Sequence, residues 1–202
     1  METKEEQNQN SQGQNSTKQI NCDMFLDSAR KIYPGFVTDN DNRNVIDMLI
    51  GYISGQNVKL DPDKGIFLHG LVGCGKTILI KALLTAKDSR YLFVTSRQIR
   101  DEYLVSGINA IWPYRGKSFL IIDDIGLEGS SKHFGNELSA VNEVILDRYE
   151  FWQGINKDKN CLTFLTSNCT AKDLHEIYGE RFTSRLREMC NDIYLPGGDR
   201  RK

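Results

Sequence analysis

The chain has 202 residues with 26 basic and 27 acidic side chains, which gives a formal net charge of −1. This length accommodates one α/β domain with a full core and excludes a second large domain. The balanced charge excludes a global attraction to nucleic acid, so any contact with DNA requires a local basic patch.

Cysteine use and hydropathy place further bounds on the class of protein. The five cysteines include no C-x-x-C pair, so they indicate neither a disulfide framework nor a zinc site. No apolar run reaches the length of a membrane span, and the N-terminus lacks the pattern of an export signal. We therefore expect a cytoplasmic protein without a membrane partner.

The N-terminal region divides into a tail and two helices. Residues 1–20 are rich in Gln, Asn, Ser and Lys, a composition that cannot offset the entropy of ordering, so we predict a disordered tail. Within 21–58, apolar positions at helical spacing predict helices over 22–33 and 44–54. Pro34 and Gly35 end the first of them.

Residues 70–77 read Gly-Leu-Val-Gly-Cys-Gly-Lys-Thr and fit the phosphate-binding pattern G-x-x-x-x-G-K-[ST]. An apolar run over 66–69 predicts a strand before this loop, and 76–86 continues at helical spacing. The loop N–H groups and the helix N-terminus then form a seat for the β- and γ-phosphates. We expect Lys76 to face solvent and neutralise phosphate charge, and Thr77 to ligate Mg²⁺. The residues predicted to hold the nucleotide in this stretch are Gly70, Gly73, Cys74, Gly75, Lys76, Thr77 and Ile78.

A second buried strand is predicted over 91–95, followed by a helix capped by Ser96. The run over 118–124 predicts a third strand, which ends in two acids whose carboxylates would face the nucleotide. Asp123 would hold Mg²⁺ through water opposite Thr77, and Asp124 would orient or deprotonate the attacking water.

The second half of the chain predicts a long amphipathic helix over 134–152, with a buried strand over 161–166 after it. Asn168 follows that strand and can donate its amide to the γ-phosphate or to the lytic water. Arg181 and Arg185 share one face of a later helix, as an arginine finger for a neighbouring subunit or as a basic surface stripe. Residues 192–195 predict a fifth strand, and 197–202 a basic, frayed end.

With these residues in place, the chain over about 40–195 resembles the AAA+ ATPases of the DnaC-type helicase loaders and the related IstB-type transposition helpers. The resemblance rests on residues 70–77, on Ile-Ile-Asp-Asp-Ile-Gly-Leu-Glu at 121–128, on Leu-Thr-Ser-Asn at 165–168, and on Gly-Glu-Arg-Phe-Thr-Ser-Arg-Leu at 179–186. It implies a three-layer αβα P-loop NTPase of the ASCE type, with a five-stranded parallel sheet as the core over 59–196. No helical lid is expected after Leu195.

The resemblance also implies roles for particular residues, with ATP and Mg²⁺ as cofactors. Asn168 would be the sensor-1 residue, Arg185 the arginine finger, and Arg181 a second nucleotide-binding arginine beside it. The strand before Asn168 would lie between the nucleotide-loop strand and the Asp123 strand. The family often has Asp-Glu where this chain has Asp123-Asp124, so Glu128 is the alternative candidate for activating water.

Three functions are consistent with these features. The first is an ATPase of DNA replication or mobile-element DNA processing that forms an ATP-dependent homo-oligomer on a partner. The partner would be a replicative helicase or another DNA-processing protein, with single-stranded DNA as a further ligand. The second is an IstB-like adaptor or switch that binds ATP with little hydrolysis. The third is a small-molecule P-loop kinase, which accounts less well for Asn168 and for residues 179–187.

Overall fold

The computed structural model describes residues 22–55, 59–128, 131–133, 136–154 and 161–201. The predicted tail over 1–20 lies outside these ranges. Among the described helices, none is long and apolar enough to cross a membrane.

Helices and strands alternate along most of the chain. The helices are α1 (22–32), α2 (Arg43–Ser54), α3 (Lys76–Ala86), α4 (Ser96–Ser106), α5 (Trp112–Arg115), α6 (Ala140–Gln153), α7 (Ala171–Tyr178) and α8 (Glu180–Met189). A short 3₁₀ turn, Gly107–Ala110, joins α4 to α5. The strands are β1 (Gly65–Gly70), β2 (Leu92–Thr95), β3 (Phe119–Ile125), β4 (Ser131–His133), β5 (Asn136–Leu138), β6 (Leu162–Ser167) and β7 (Cys190–Leu195).

Five strands form one sheet in the order β2-β3-β6-β1-β7, and every neighbouring pair is parallel. The fold class predicted from the sequence is therefore confirmed. The strand before Asn168, β6, lies between β1 and β3, as the resemblance implies. Parallel strands place all their carboxyl ends on one side of the sheet, which we call its carboxyl edge, and all their amino ends on the other, its amino edge. The polar residues that follow β1, β3 and β6 therefore meet at the carboxyl edge.

The sheet is buried on both faces, which explains why its strands are nearly continuous apolar runs. Because successive side chains point to opposite faces, Ile66 and Leu68 pack into one core with α1, α2 and α3. Phe67, between them, packs into the other core with α4, α6, α7 and α8. The molecule therefore has three layers, with the sheet in the middle.

Arg148 of α6 stabilises the amino edge of the sheet and is fully buried. Its guanidinium donates five hydrogen bonds to neutral oxygens. The acceptors are Thr163 Oγ1 at 2.7 Å and the carbonyl oxygens of Tyr114, Arg115, Lys117 and Leu162 at 2.7, 3.3, 3.0 and 3.0 Å. Burial lowers the pKa of this guanidinium. Arg148 thus joins α6 to the chain before β3 and to the amino end of β6.

Two local predictions were wrong. The helix predicted over 134–152 begins at Ala140, after a short antiparallel pair of strands, β4 and β5. Ser139 accepts a hydrogen bond from the Asn142 N–H at 3.3 Å and so caps the helix at that point. The cap of α4 is Thr95 and not Ser96, because Thr95 exchanges hydrogen bonds with Gln98 in a capping box.

Candidate active site

A cleft of about 670 Å³ opens at the carboxyl ends of β1, β3 and β6. This volume lies within the range of small-molecule and cofactor pockets. One side of the cleft is polar and is formed by the loop after β1, by the acids of β3 and by Asn168. The other side includes Tyr33, Gly35, Phe36 and Val37, from the connection between α1 and α2. The cleft thus offers a charged end and a largely apolar end.

The loop after β1 leads directly into α3, as the pattern predicts. Gly75 is the N-cap residue of α3 and has a φ of +105, a backbone conformation that residues other than glycine rarely adopt. No side chain caps the first turn of α3, so its N–H groups are available to an anion. Cys74, Lys76, Thr77 and Ile78 line the cleft beside Gly75.

Lys76 does not face solvent, contrary to our expectation, because it is only 5 % exposed. Its Nζ donates to Gly70 O at 3.0 Å, to Leu71 O at 2.8 Å and to Asn168 Oδ1 at 2.7 Å. Burial of an ammonium requires such acceptors. Lys76 therefore links residues 70–77, which we call the nucleotide loop, to the end of β6. It lies at the floor of the cleft.

The predicted metal-binding residues lie in direct contact. Thr77 Oγ1 donates to Asp123 Oδ1 at 2.7 Å, although 46 positions separate them in the chain. Thr166 of β6 also donates to Asp123 Oδ1, at 2.6 Å, and so orients the carboxylate. A hydroxyl and a carboxylate oxygen are the ligands that Mg²⁺ prefers, with phosphate oxygens and water completing the shell. This donor set fits Mg²⁺.

Asp124 lines the cleft in a constrained backbone conformation, with φ +57. Its N–H donates to Thr166 Oγ1 at 3.0 Å, and its carbonyl accepts from Ser96 Oγ at 2.7 Å. Partial burial and the nearby charge of Asp123 raise the pKa of the Asp124 carboxyl, while Lys76, Arg201 and Arg97 act in the opposite direction. A left-handed conformation at a residue other than glycine is a strained feature that proteins retain mainly at functional sites.

Glu128, the alternative to Asp124, is 3 % exposed and is absent from the cleft wall. Its carboxylate accepts a hydrogen bond from Tyr178 Oη and another from the Gly126 N–H, at 3.0 Å for the latter. The carbonyl of Glu128 accepts from Arg100. Of the two acids, only Asp124 is in a position to meet a ligand in the cleft.

The structure does not bring Arg181 and Arg185 into the cleft of their own chain. Both lie on α8, where the Arg185 guanidinium stacks over the Tyr149 ring at 4.7 Å from its centroid. Arg181 is exposed. Gly70 likewise stays outside the cleft wall, but its carbonyl holds Lys76 at the foot of the loop.

Comparisons with known proteins bear on the fold of this site. No family model matches the chain. Residues of the chain align with a probable 26S proteasome regulatory subunit 6B of Caenorhabditis elegans, at 24% identity over 122 residues. They also align with a 26S proteasome regulatory subunit 4 homolog of Encephalitozoon cuniculi, at 30% identity over 84 residues. These alignments cover 56% and 39% of the chain, but only 29% and 20% of the two relatives.

Solved structures share most of the fold. A crystal structure of DnaI has a TM-score of 0.58 at 20% identity, covering 82% of this chain and 87% of DnaI. The DnaC helicase loader has a TM-score of 0.57 at 18% identity, covering 85% of this chain and 98% of the loader. The initiator DnaA bound to AMPPCP and single-stranded DNA has a TM-score of 0.56 at 17% identity, covering 82% of this chain and 49% of DnaA. The chain has the AAA+ fold.

Within this AAA+ fold, the sequence pattern did not predict Thr166, which contacts Asp123, or two arginines of the cleft wall. Thr166 lies inside the Leu-Thr-Ser-Asn stretch, so a hydroxyl beside the acidic strand was a detectable signal. Arg200 and Arg201 also line the cleft, although 197–202 was predicted to be a frayed end. Nothing in the local sequence pattern indicates that the segment after β7 returns to the nucleotide loop.

Proposed function

We propose that this AAA+ chain binds Mg²⁺ and ATP in the cleft and hydrolyses the nucleotide. The observation that carries the proposal is the contact between motifs that are remote in sequence. Lys76 contacts Asn168, and Thr77 contacts Asp123. These residues are the phosphate-binding, metal-binding and water-positioning groups that phosphoryl transfer requires.

The nucleotide loop holds the phosphates in this proposal. The N–H groups at the start of α3 bind phosphate oxygens, and the positive end of the helix stabilises their charge. Lys76 exchanges part of its contact with Gly70 O, Leu71 O and Asn168 for phosphate oxygens. Thr77 and Asp123 hold Mg²⁺, which when bound neutralises charge on the β- and γ-phosphates.

Asp124 and Asn168 act on the attacking water. The carboxylate of Asp124 accepts a hydrogen bond from the water and orients it, and its raised pKa makes it a better proton acceptor. The Asn168 amide lies at the end of β6, with its Oδ1 held by Lys76. Its NH₂ group is the donor for the γ-phosphate or the water.

A neighbouring subunit supplies the remaining positive charge in this proposal. Arg185, with Arg181 beside it, lies outside the cleft of its own chain and would reach the γ-phosphate of an adjacent copy. A guanidinium offered in trans stabilises charge that develops during transfer. Hydrolysis per subunit is therefore expected to rise with protein concentration or on a partner.

The test of this arrangement mixes Arg185→Ala with Lys76→Ala under conditions where the wild type assembles. The first variant keeps an intact nucleotide site, and the second keeps an intact arginine. ATPase activity of the mixture is expected to exceed the sum of the two variants measured alone. Activity equal to that sum would assign Arg185 to the surface of its own subunit and remove the trans mechanism.

The cellular role that we propose is that of a DnaC-like helicase loader in DNA replication or mobile-element DNA processing. It is supported by the likeness to the DnaI and DnaC structures over more than four fifths of the chain. The partner would be a replicative helicase, with single-stranded DNA as a second ligand. A pull-down from the native host with and without ATP tests this role. ATP-dependent capture of a helicase that Lys76→Ala abolishes would support it.

One observation favours a second candidate function, a nucleotide-dependent switch with little hydrolysis. The chain has Asp124 at the position where the helicase-loader family that it resembles often has the longer glutamate. The nearby Glu128 is buried against Tyr178. A shorter side chain reaches less far toward the water. Tight ATP binding without turnover, in both the assembled and the dilute protein, would identify the switch.

A further inference from the structure

Arg185 of α8 lies against the neighbouring helix, α6. Its guanidinium carbon, Cζ, is 4.7 Å from the centroid of the Tyr149 ring, within the distance at which the face of an aromatic ring attracts a cation. Arg185 is partly exposed, whereas Tyr149 is only 7 % exposed. A buried ring of α6 therefore supports a cation that borders solvent.

The ring of Tyr149 is itself held by hydrogen bonds. Its Oη donates to Glu188 Oε2 at 2.6 Å, and Glu188 lies on α8 three positions after Arg185. The same Oη accepts a hydrogen bond from Gln153, one turn further along α6. The hydrogen bond to Glu188 raises the pKa of Tyr149, so the phenol keeps the proton that it donates. These contacts fix the ring relative to α8.

The contact with the ring leaves the hydrogen-bond donors of Arg185 available. An aromatic face attracts the charge of a guanidinium and needs none of its five N–H donors. Within the described ranges, the hydrogen bond of Arg185 runs from Nη1 to the carbonyl of Arg181, and at 3.5 Å it is long. Arg185 is thus held by its charge, while most of its N–H groups are available to another acceptor.

Two other arginines at α6 are used differently. Arg148 donates five hydrogen bonds to oxygens of the protein. Arg115 lies over the ring of Phe151 at 5.2 Å, but it is also paired with Asp147, whose two carboxylate oxygens lie 2.9 Å from Nη2 and Nε. Of these three guanidiniums, only that of Arg185 keeps most of its donors, as far as the described residues go.

We infer that Tyr149 is a positioning residue for Arg185: its ring holds the guanidinium in one place on the surface, ready to bind the phosphate of a neighbouring subunit. An arginine side chain loses rotamer freedom when it binds, and a side chain that is already ordered loses less. This inference rests on the proposed trans role of Arg185. It adds a residue of α6 to the surface that one subunit offers to the next.

The test uses the rise of ATP hydrolysis per subunit with protein concentration. Tyr149→Leu removes the aromatic face and keeps an apolar side chain, so it should reduce this rise about threefold or more. Tyr149→Phe keeps the ring and loses only Oη, so its rise should stay within about twofold of the wild type. Both variants should keep the ATP affinity of the wild type, because Tyr149 is absent from the cleft wall.

Mixtures of variants show on which side of the contact Tyr149 acts. Tyr149→Leu keeps an intact nucleotide site, and Lys76→Ala keeps Arg185 with its ring, so the activity of this mixture should exceed the sum of the two variants measured alone. Tyr149→Leu mixed with Arg185→Ala should give no more than the sum, because neither chain offers a positioned arginine. A residue that only stabilises the fold would not distinguish the two mixtures.

Phe151→Leu serves as the matched control. It removes the same kind of contact between an arginine and a ring from the same helix, while Arg115 keeps its pair with Asp147. This variant should show the full rise of the wild type. A chain that carries both Tyr149→Leu and Arg185→Ala should be no less active than Arg185→Ala, because the two residues act as one unit.

The outcomes separate this inference from the function on which it rests. If Arg185→Ala mixed with Lys76→Ala exceeds the sum of its parts but Tyr149→Leu shows the full rise, the trans mechanism stands and the role of Tyr149 is overturned. Equal losses in Tyr149→Leu and Phe151→Leu would also overturn it, as would rescue of Tyr149→Leu by Arg185→Ala or by neither partner. If Arg185→Ala and Lys76→Ala do not complement each other, the trans mechanism and the inference both fail.

Discussion

The two edges of the sheet each hold a buried cation among neutral oxygens, but the two cations are held differently. Arg148 at the amino edge is enclosed, and its five hydrogen bonds join three segments. Lys76 at the carboxyl edge has three oxygen acceptors and lines the cleft. A cation that protein atoms enclose on all sides stabilises the fold. A cation that borders a cleft is able to exchange its partners for those of a ligand.

The largest effect on stability is therefore expected at the amino edge. Arg148→Ala removes the guanidinium donor from four backbone carbonyls and the Thr163 hydroxyl in a buried site, and only the weak thiol donor of Cys161 remains for two of these carbonyls. Because buried acceptors lose their donor and a cavity replaces a large side chain, we expect a loss of about 3–5 kcal/mol in the free energy of unfolding, measured by urea denaturation. Arg148→Lys should recover only part of it, since a lysine cannot reproduce the five-donor fork. An unchanged denaturation midpoint for Arg148→Ala would show that the hydrogen bonds of Arg148 do not stabilise the amino edge of the sheet.

The next largest effect is expected at the carboxyl edge, on the rate of ATP hydrolysis. Asp124→Asn should leave ATP bound but slow hydrolysis at least about tenfold, because a water-orienting carboxylate is lost. Glu128→Gln is the matched control, since Glu128 is buried against Tyr178 and Gly126. Steady-state turnover at saturating ATP is the measurement. Slow turnover in Glu128→Gln alone would exchange the two roles.

The sequence predicted those parts of the fold that depend on local pattern. The nucleotide loop has a fixed spacing, and the buried strands are apolar runs, so β1, β3 and β6 were recognised with their terminal polar residues. Because Leu138 and Val141 continue the apolar spacing of α6, the sequence predicts that this helix begins before Ala140. The periodicity alone did not reveal that Ser139 caps the helix and that 136–138 pair with 131–133.

The parts of the site that the sequence did not predict depend on contacts between remote segments. Arg200 meets Asp39 across 161 positions, and no local pattern encodes that meeting. The burial of Lys76 was also missed, because an isolated lysine after glycine gives no sign of the carbonyls of Gly70 and Leu71 that surround it. Thr166 is detectable from the sequence, because it lies in the strand that Asn168 follows.

The smallest expected effect concerns the pH dependence of the cleft. The pKa of Asp124 is raised, and the carboxyl must be ionised to accept a proton, so turnover should fall as the pH falls through this raised value. Arg97 is exposed, and its charge opposes the rise. Arg97→Ala should therefore move the acidic limb of the turnover profile to higher pH, and added salt should reduce the difference. A shift to lower pH would contradict this placement of charge.

The contrast between the two edges is tested most directly by titrating Mg²⁺ and ATP into the wild type, Lys76→Ala and Arg148→Lys in a calorimeter. The wild type is expected to bind one nucleotide per chain. Lys76→Ala should lose about a hundredfold or more in affinity. Arg148→Lys, at the temperature where it is folded, should stay within about threefold of the wild type, because the two sites share no partners. Equal ATP affinity in the wild type and Lys76→Ala would contradict the assignment of the cleft as the nucleotide site.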